Sequence, residues 1–459
     1  MSQPQRIAII GGGLSGTLAA LQLRRALADA EIFLFEKAQN RLQKGVAYSG
    51  TLPYQPLNVV VGRMSLYSDD PRHFWRWLQD NRSRYGDELD EVDMEAFVSR
   101  RVYGDYVRET FGRDAGDRVR TIVAEVHDIR PTEDGGCEII CSDGRSQAVD
   151  RVVLAWGNLQ PKLPYPLSET PGIVADPWSV GLEQRIGPDD DILLVGTGLT
   201  MVDWVVSLSK KGHRGRIVAL SRHGKLPRPH AHHEDWRPRT DWPDSLPELL
   251  RALREEAQRA ETEGVGWISM MDNIRNATAP LWQSLPLEER RRFLRHLATF
   301  WDVHRHRMPG KSWDQLQALL EKGQFSVVAG RVQDCQATDG GFAVEYRPRG
   351  AEQTQTLRVR HVINCTGPES DVSKIQDALI RNLYGRGLIE RDPLGLSILV
   401  DGKGHPLNRD GHPWRAAVAL GSLRRAELWE TTALREIRDQ AEQLGREAES
   451  WVSRPVLLG

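Results

Sequence analysis

Gly11, Gly13 and Gly16 follow the apolar run Ile7 to Ile10 and open an alanine-rich segment, Leu14 to Ala20. A short buried strand, a tight glycine turn and a helix start in that order can hold a pyrophosphate. Gly11 allows the turn, Gly13 lets the backbone approach the phosphates, and Gly16 lets the helix pack on the strand. The first helical residues, Leu14 and Ser15, offer free N–H groups to the anion. Downstream, Glu31 to Glu36 reads as a second strand, with Lys37 after it. A carboxylate at its tip accepts hydrogen bonds from ribose hydroxyls and repels a 2′-phosphate, so this site is expected to take FAD or NAD rather than NADP.

The pattern recurs about 180 residues later. Ile192 to Val195 runs into Gly196 and Gly198, followed by Leu199, Thr200 and, in the third glycine position, Met201. The methionine departs from the motif and loosens the helix-packing argument. The next strand, Ile217 to Leu220, ends in Ser221 and Arg222 where the first unit has Glu36. A hydroxyl and a guanidinium suit the 2′-phosphate of NADP. Each unit also has an apolar exit strand closed by a glycine: Arg151 to Gly157, and His361 to Gly367 with Thr366.

Positioning two such sites takes a large mixed α/β chain. The 459 residues, 40% hydrophobic and 27% charged, suffice for two or three domains. A net charge of −2 gives no overall attraction to nucleic acid or to an anionic membrane. No apolar stretch approaches a membrane span, and the start of the chain leaves no room for a signal peptide, so a cytoplasmic protein is expected. Cys137, Cys141, Cys335 and Cys365 form neither a disulfide framework nor a redox CxxC. His230, His232 and His233 sit in a proline-flanked loop with spacing that fits zinc poorly, so no metal is expected. Residues from about 225 to 323 read as a helical cap, with helices over Leu246 to Ala260, Leu287 to His304 and Trp313 to Lys322. At the end of the second of these, His304, Arg305 and Arg307 are candidate contacts for a substrate carboxylate.

The chain resembles the flavoproteins with two dinucleotide-binding domains, and more narrowly bacterial FAD/NAD(P)-binding proteins of the uncharacterised NAD(FAD)-dependent dehydrogenase type. The likeness rests on both glycine turns and on Gly45-Val46-Ala47-Tyr48-Ser49, Leu57-Asn58-Val59 with Arg63-Met64-Ser65, Arg100 to Tyr106, Ser221 to Gly224, Trp301 to Arg307 and Leu428 to Ala433. It implies an α/β fold of two Rossmann-like domains, the NADPH domain inserted in the FAD domain. The expected division is residues 1–175 for the first part of the FAD domain, 176–365 for the NADPH domain and 366–459 for the return segment. The resemblance further implies flavin contacts at Asn58, Met64, Ser65, Gly157, Gly421, Glu430, Thr431 and Thr432. The activity it implies is that of an NADPH-dependent flavin monooxygenase acting with molecular oxygen on a small polar substrate, including N-hydroxylation of an amino acid amine. A flavin dehydrogenase or reductase that does not activate oxygen, and a nucleotide-binding protein without turnover, are the competing expectations.

Overall fold

In a computed structural model of the protein, residues 4–50, 54–89, 92–179, 181–231 and 234–453 are described. The chain divides into two compact units. Met1–Thr51, Val59–Leu159 and Glu369–Gly459 make the first; Leu52–Asn58 and Gln160–Pro368 make the second. The second unit therefore begins at Gln160 rather than at 176. The reason is local: Asn364 donates its amide to the carbonyls of Lys162 and Ala175, both at 3.0 Å, and Val174 bridges to Ile363. These ties fasten the connecting segment to the second sheet.

The first unit contains strands β1 (Arg6–Ile10), β2 (Glu31–Glu36), β3 (Val119–Val123), β4 (Val126–Pro131), β5 (Cys137–Cys141), β6 (Ser146–Val149) and β7 (Arg151–Leu154). Its main sheet is parallel, ordered Ala417–Ala419, β7, β1, β2, β3. The buried residues of β1 are all apolar, and so are those of β7 after Arg151, as expected of strands covered on both faces. The helix Leu14–Ala26 and the C-terminal helix Leu434–Ser453 pack on each other. Strands β4, β5 and β6 form a separate antiparallel sheet. Cys137, Ile139 and Cys141 alternate inward from β5 and join the core with Ile129 and Val149.

The second unit carries β8 (Ile192–Val195), β9 (Ile217–Ser221), β10 (Phe325–Thr338), β11 (Gly341–Pro348), β12 (Gln355–Val359) and β13 (His361–Asn364). They are ordered β12, β11, β10, β9, β8, β13, with β10, β9, β8 and β13 parallel and β11 and β12 antiparallel. Between β9 and β10 the described residues form six helices, from Leu246–Thr262 to Gly310–Glu321. The expected single helix over 287–304 is two, Leu287–His296 and Ala298–Arg305. They part at Leu297, whose φ of −119° leaves the helical range.

Candidate cofactor sites

In the first unit, β1 delivers the chain to Gly11, whose φ of +107° only glycine adopts without strain. Its N–H donates to the Phe35 carbonyl at 2.9 Å, and a Cβ there would lie 2.4 Å from the carbonyl oxygen of Ala155. Gly13 is the N-cap of the helix Leu14–Ala26; no side chain caps it, and the first turn holds no acid. The opening N–H groups and the positive end of the helix dipole are thus free for an anion. Gly16 sits beneath the turn, where a Cβ would come within 1.9 Å of the Gly11 carbonyl oxygen.

Around this turn opens a cleft of about 1110 Å³, part of it continuous with solvent. Gly11, Gly13, Leu14, Ser15, Glu36, Lys37, Gly157 and Thr432 line it. Glu36 receives the N–H groups of Gly12 at 3.0 Å and Ala38 at 3.2 Å, one on each oxygen. A carboxylate has about four lone-pair sites, so acceptor capacity remains. Thr432, exposed, stands just before the helix Leu434–Ser453.

Two basic side chains in the cleft, Arg41 and Lys44, were not singled out from the sequence. Lys44 is 9% exposed and its Nζ donates to Asp105 at 2.6 Å, while Tyr85 donates its hydroxyl to the other Asp105 oxygen at 2.9 Å. Burial pushes the Asp105 carboxyl up, but the hydrogen bond and charge of Lys44 outweigh it and hold the group below its ordinary value. Beside Lys44, Gln43 has a φ of +62°, costly for a residue with a Cβ. Its N–H donates to the Gly12 carbonyl at 2.7 Å, which brings Gly45 against Gly13. The only sequence signal for this arrangement was the three-residue spacing of Arg41 and Lys44 ahead of Gly45.

Several expected contacts do not line this cleft. Met64 is buried in the core at 2% exposure, where a flexible thioether fills space. Ser65 is buried too, its hydroxyl tied to the carbonyls of Tyr67 and Asp70 and to the Tyr67 N–H. Thr431 is fully buried and donates to the Gly421 carbonyl at 2.8 Å. Gln440 joins both residues, accepting the Gly421 N–H and donating to the Thr431 hydroxyl. Gly421 and Thr431 are therefore struts of the loop, and Glu430, half-buried, is likewise outside the lining. Asn58 belongs to the second unit, its carbonyl paired with the His230 ring at 2.9 Å. His232 and His233 lie outside the described residues. Among the described residues no group of three or more His, Cys, Asp or Glu side chains is placed to hold a metal ion.

The second unit repeats the turn. Gly196 has a φ of +115°, and a Cβ there would lie 2.4 Å from the Cys365 carbonyl oxygen. Gly198 is the N-cap of the helix Leu199–Lys210, again without a capping side chain or an acid in the first turn, so Leu199 and Thr200 open it with free N–H groups. Met201 does not spoil the turn. It is fully buried in the core of this unit, among Leu194, Ile363 and Cys365, and so packs where Gly16 has no room.

At the end of β9, the Ser221 hydroxyl is engaged by Thr197 at 2.9 Å and by the Gly224 N–H at 3.1 Å. Arg222 is exposed. The neighbouring His223 is held below the usual imidazole range, first by desolvation and then by Arg349, Arg222, Lys225 and Arg331. The charges that act on it are all positive. Arg349 comes from the far side of the sheet, its N–H bound to Ala329, which pairs with Ser221. Thr366 donates its hydroxyl to the carbonyl of Lys162 at 2.6 Å, and Gly367 beside it has a φ of +91°. In the helical insertion Arg307 is 3% exposed and ion-paired with Asp272, so the sequence reading of it as a substrate contact is corrected: burial demands that its charge be matched internally. The His304 ring is bonded to the Phe300 carbonyl at 2.7 Å and lies edge-on to Trp267.

Residues 8–159 match the family described as FAD-NAD(P)-binding. This segment is an FAD-NAD(P)-binding domain. No curated protein matches the chain. Among solved structures, the chain is similar to an ornithine N-hydroxylase from Kutzneria sp. 744, with 14% identity, 97% of this chain and 99% of that one covered, and a TM-score of 0.70. The L-lysine 6-monooxygenase of Pseudomonas syringae gives 16% identity, 97% and 99% coverage and a TM-score of 0.69. The bacillithiol disulfide reductase of Staphylococcus aureus gives 13%, 98% and 99%, and 0.57. At these identities the likeness is one of fold, a mixed α/β chain with Rossmann-like units. No helix among the described residues is long and apolar enough to cross a membrane.

Proposed function

We propose that this protein is an FAD-containing, NADPH-dependent monooxygenase that hydroxylates the amine of a small amino acid or diamine. The observation that carries the cofactor pair is the contrast between two uncapped glycine turns. One strand end bears the carboxylate of Glu36, and the other gathers Arg222, Lys225, Arg331 and Arg349 around His223. An adenosine with free ribose hydroxyls suits the first, and a 2′-phosphate suits the second. Whole-chain likeness to two amine hydroxylases supports the reaction class.

The first site fits FAD on its own geometry. Free N–H groups of Leu14 and Ser15 open on the cleft, and Arg41 and Lys44 supply positive charge for the pyrophosphate. Asp105 and Tyr85 hold the Lys44 ammonium in place. Glu36 takes the ribose hydroxyls, and Thr432 with the start of the C-terminal helix faces the same cleft. When bound, the flavin would supply hydride acceptance from NADPH and oxygen activation. In the second site the Gly198 turn binds the NADPH pyrophosphate and the cations beyond β9 take its 2′-phosphate. Arg305, at the end of the helix Ala298–Arg305, is the candidate contact for a substrate carboxylate.

A disulfide reductase that relays electrons through a dithiol is disfavoured by the cysteines. All four are free and buried, and burial pushes the Cys137 thiol up to about 12. To test the proposal, the purified protein is assayed for bound flavin and reduced anaerobically with NADPH or NADH. Oxygen is then admitted with L-ornithine, L-lysine or cadaverine, and the amine is examined by mass spectrometry. The expected result is faster reduction by NADPH and an amine that gains one oxygen atom. Reduction with oxygen uptake but no oxygenated amine would instead assign a reductase. Absence of both flavin and nucleotide oxidation would leave a nucleotide-binding protein without turnover. Arg222→Ala is expected to weaken NADPH about tenfold and NADH little, as removal of one charge-assisted phosphate contact requires; equal losses would refute the phosphate assignment.

A further inference from the structure

A second cavity in the first unit, about 630 Å³ with its opening to solvent, lies between the edge strand Ala417–Ala419, the loop that covers that edge and the C-terminal helix. The floor is apolar: Val418, Leu420, Leu444 and Trp451, each under a tenth exposed. The polar groups converge from one side.

His405 is 7% exposed, and its Nδ1 is 2.8 Å from the Ala417 carbonyl oxygen. A carbonyl can only accept, so Nδ1 carries the proton, and Nε2 has no partner among the described residues. The loop that carries His405 is fixed by Asp401, which accepts the N–H groups of Lys403 and His405, and by Gly404, which accepts the Ala419 N–H. Arg424 is 4% exposed; Glu427 takes its Nε at 2.9 Å and Nη2 at 3.0 Å, which leaves Nη1 without a partner among the described residues. Lys403 and Arg415 stand exposed at the rim, and the one acid in the lining, Glu447, accepts from Gln443.

The side chains of Arg424 and His405 are both more than nine-tenths buried, and each turns one nitrogen without a partner among the described residues toward the same cavity. Free donors on Arg424, Lys403 and Arg415 call for an anion. His405 Nε2, beside those cations, calls for a hydroxyl, which can pair with a ring nitrogen as donor or as acceptor. The apolar floor calls for a hydrocarbon body. We propose that this cavity binds a small organic hydroxycarboxylate, its carboxylate on Arg424 Nη1 and the rim cations, its hydroxyl on His405 Nε2, and its apolar body on Leu444 and Trp451. This site is separate from both dinucleotide turns and does not depend on the activity assigned to them.

The test is calorimetric titration of the full chain with mandelate, with mandelamide as the uncharged match and inorganic phosphate as the bodiless anion. Mandelate is expected to bind at least tenfold more tightly than either. The double variant Lys403→Glu/Arg415→Glu, at two exposed positions, is expected to lose at least tenfold in mandelate affinity with an unchanged unfolding midpoint. Should the double variant fold poorly, Lys403→Ala alone is expected to lose a measurable part of that affinity. The proposal is overturned if mandelate does not bind, if mandelamide or phosphate binds as well, or if the charge-altered variants bind mandelate like the parent.

Discussion

Gly16→Ala is the sharpest probe of the first turn. Intrinsic helix propensity alone would favour alanine by about 1 kcal/mol. The structure reverses that sign. The new methyl would sit 1.9 Å from the Gly11 carbonyl oxygen and 3.2 Å from Ile9 Cγ2. To reach even a 3.0 Å contact, helix and turn must part by about an ångström, and β1 cannot yield because β2 and β7 pair with it on both sides. Overpacking of this kind costs about 1–3 kcal/mol, and a backbone obstacle puts it at the upper end. The net loss expected is about 2 kcal/mol, with the free N–H groups of Leu14 and Ser15 displaced by a similar distance. The assay is a urea unfolding midpoint together with flavin per chain after purification, both expected to fall. Met201→Ala is the counterpart at the second turn, where loss comes from a cavity and is about 2–5 kcal/mol. Met201→Gly, which restores the third glycine, is expected to be worse still. If Gly16→Ala were as stable and as flavin-loaded as the parent, or Met201→Gly were stabilising, the packing argument for both turns would be wrong.

Asp371 receives both Arg391 Nε at 2.6 Å and Nη2 at 2.8 Å, and with Ser373 these hydrogen bonds hold its carboxyl well below the usual carboxylate range. The native state then binds fewer protons than the unfolded chain. Its stabilisation is complete at neutral pH and is lost as pH falls below about 4. Asp371→Asn should cost about 1.5–3 kcal/mol at pH 7, with the difference from the parent shrinking toward pH 2 in acid-unfolding curves; a constant difference would contradict the linkage. Arg307→Met removes a buried cation from its ion pair with Asp272, so a loss of about 3 kcal/mol is expected in thermal or urea unfolding. An unchanged midpoint would return Arg307 to the list of substrate contacts. The four thiols should ignore a disulfide reagent at pH 8 until the chain unfolds, since burial raises Cys365 and Cys137 alike. Rapid labelling of any of them in the folded protein would reopen the dithiol route.

Both glycine turns were legible because each is encoded within about a dozen adjacent residues: apolar run, glycines, helix start. Glu36 and Arg222 were legible for the same reason, since each directly follows a strand of strongly apolar type. What could not be read depended on distant partners. Arg307 looked available until Asp272 arrived from another helix, and Lys44 gained a role only through Asp105, sixty-one residues away. Ser65 and Thr431 have the hydroxyls a cofactor needs, but turn carbonyls claim them first. The antiparallel sheet of β4, β5 and β6 went unassigned because its strands are short and cross no glycine landmark. The boundary at Gln160 was displaced because the chain clings to the second sheet before its first strand there begins.

The first unit is assembled from three separate stretches of chain, and this dictates a timetable. Strand β7 waits for its outer neighbour, Ala417–Ala419, and its Arg151 side chain waits for the carbonyls of Trp451 and Val452. Asp377, Leu379, Thr432 and Ile437 complete the wall of the cleft from the same late stretch. At about 5–20 residues per second, a ribosome spends about ten seconds between the end of the second unit and the last helix. Throughout that interval the nascent chain carries a finished glycine turn on an unfinished sheet, with one edge open to other strands. Flavin capture is thereby placed after the third stretch has emerged, and the second unit has the opportunity to fold first although its sequence begins later.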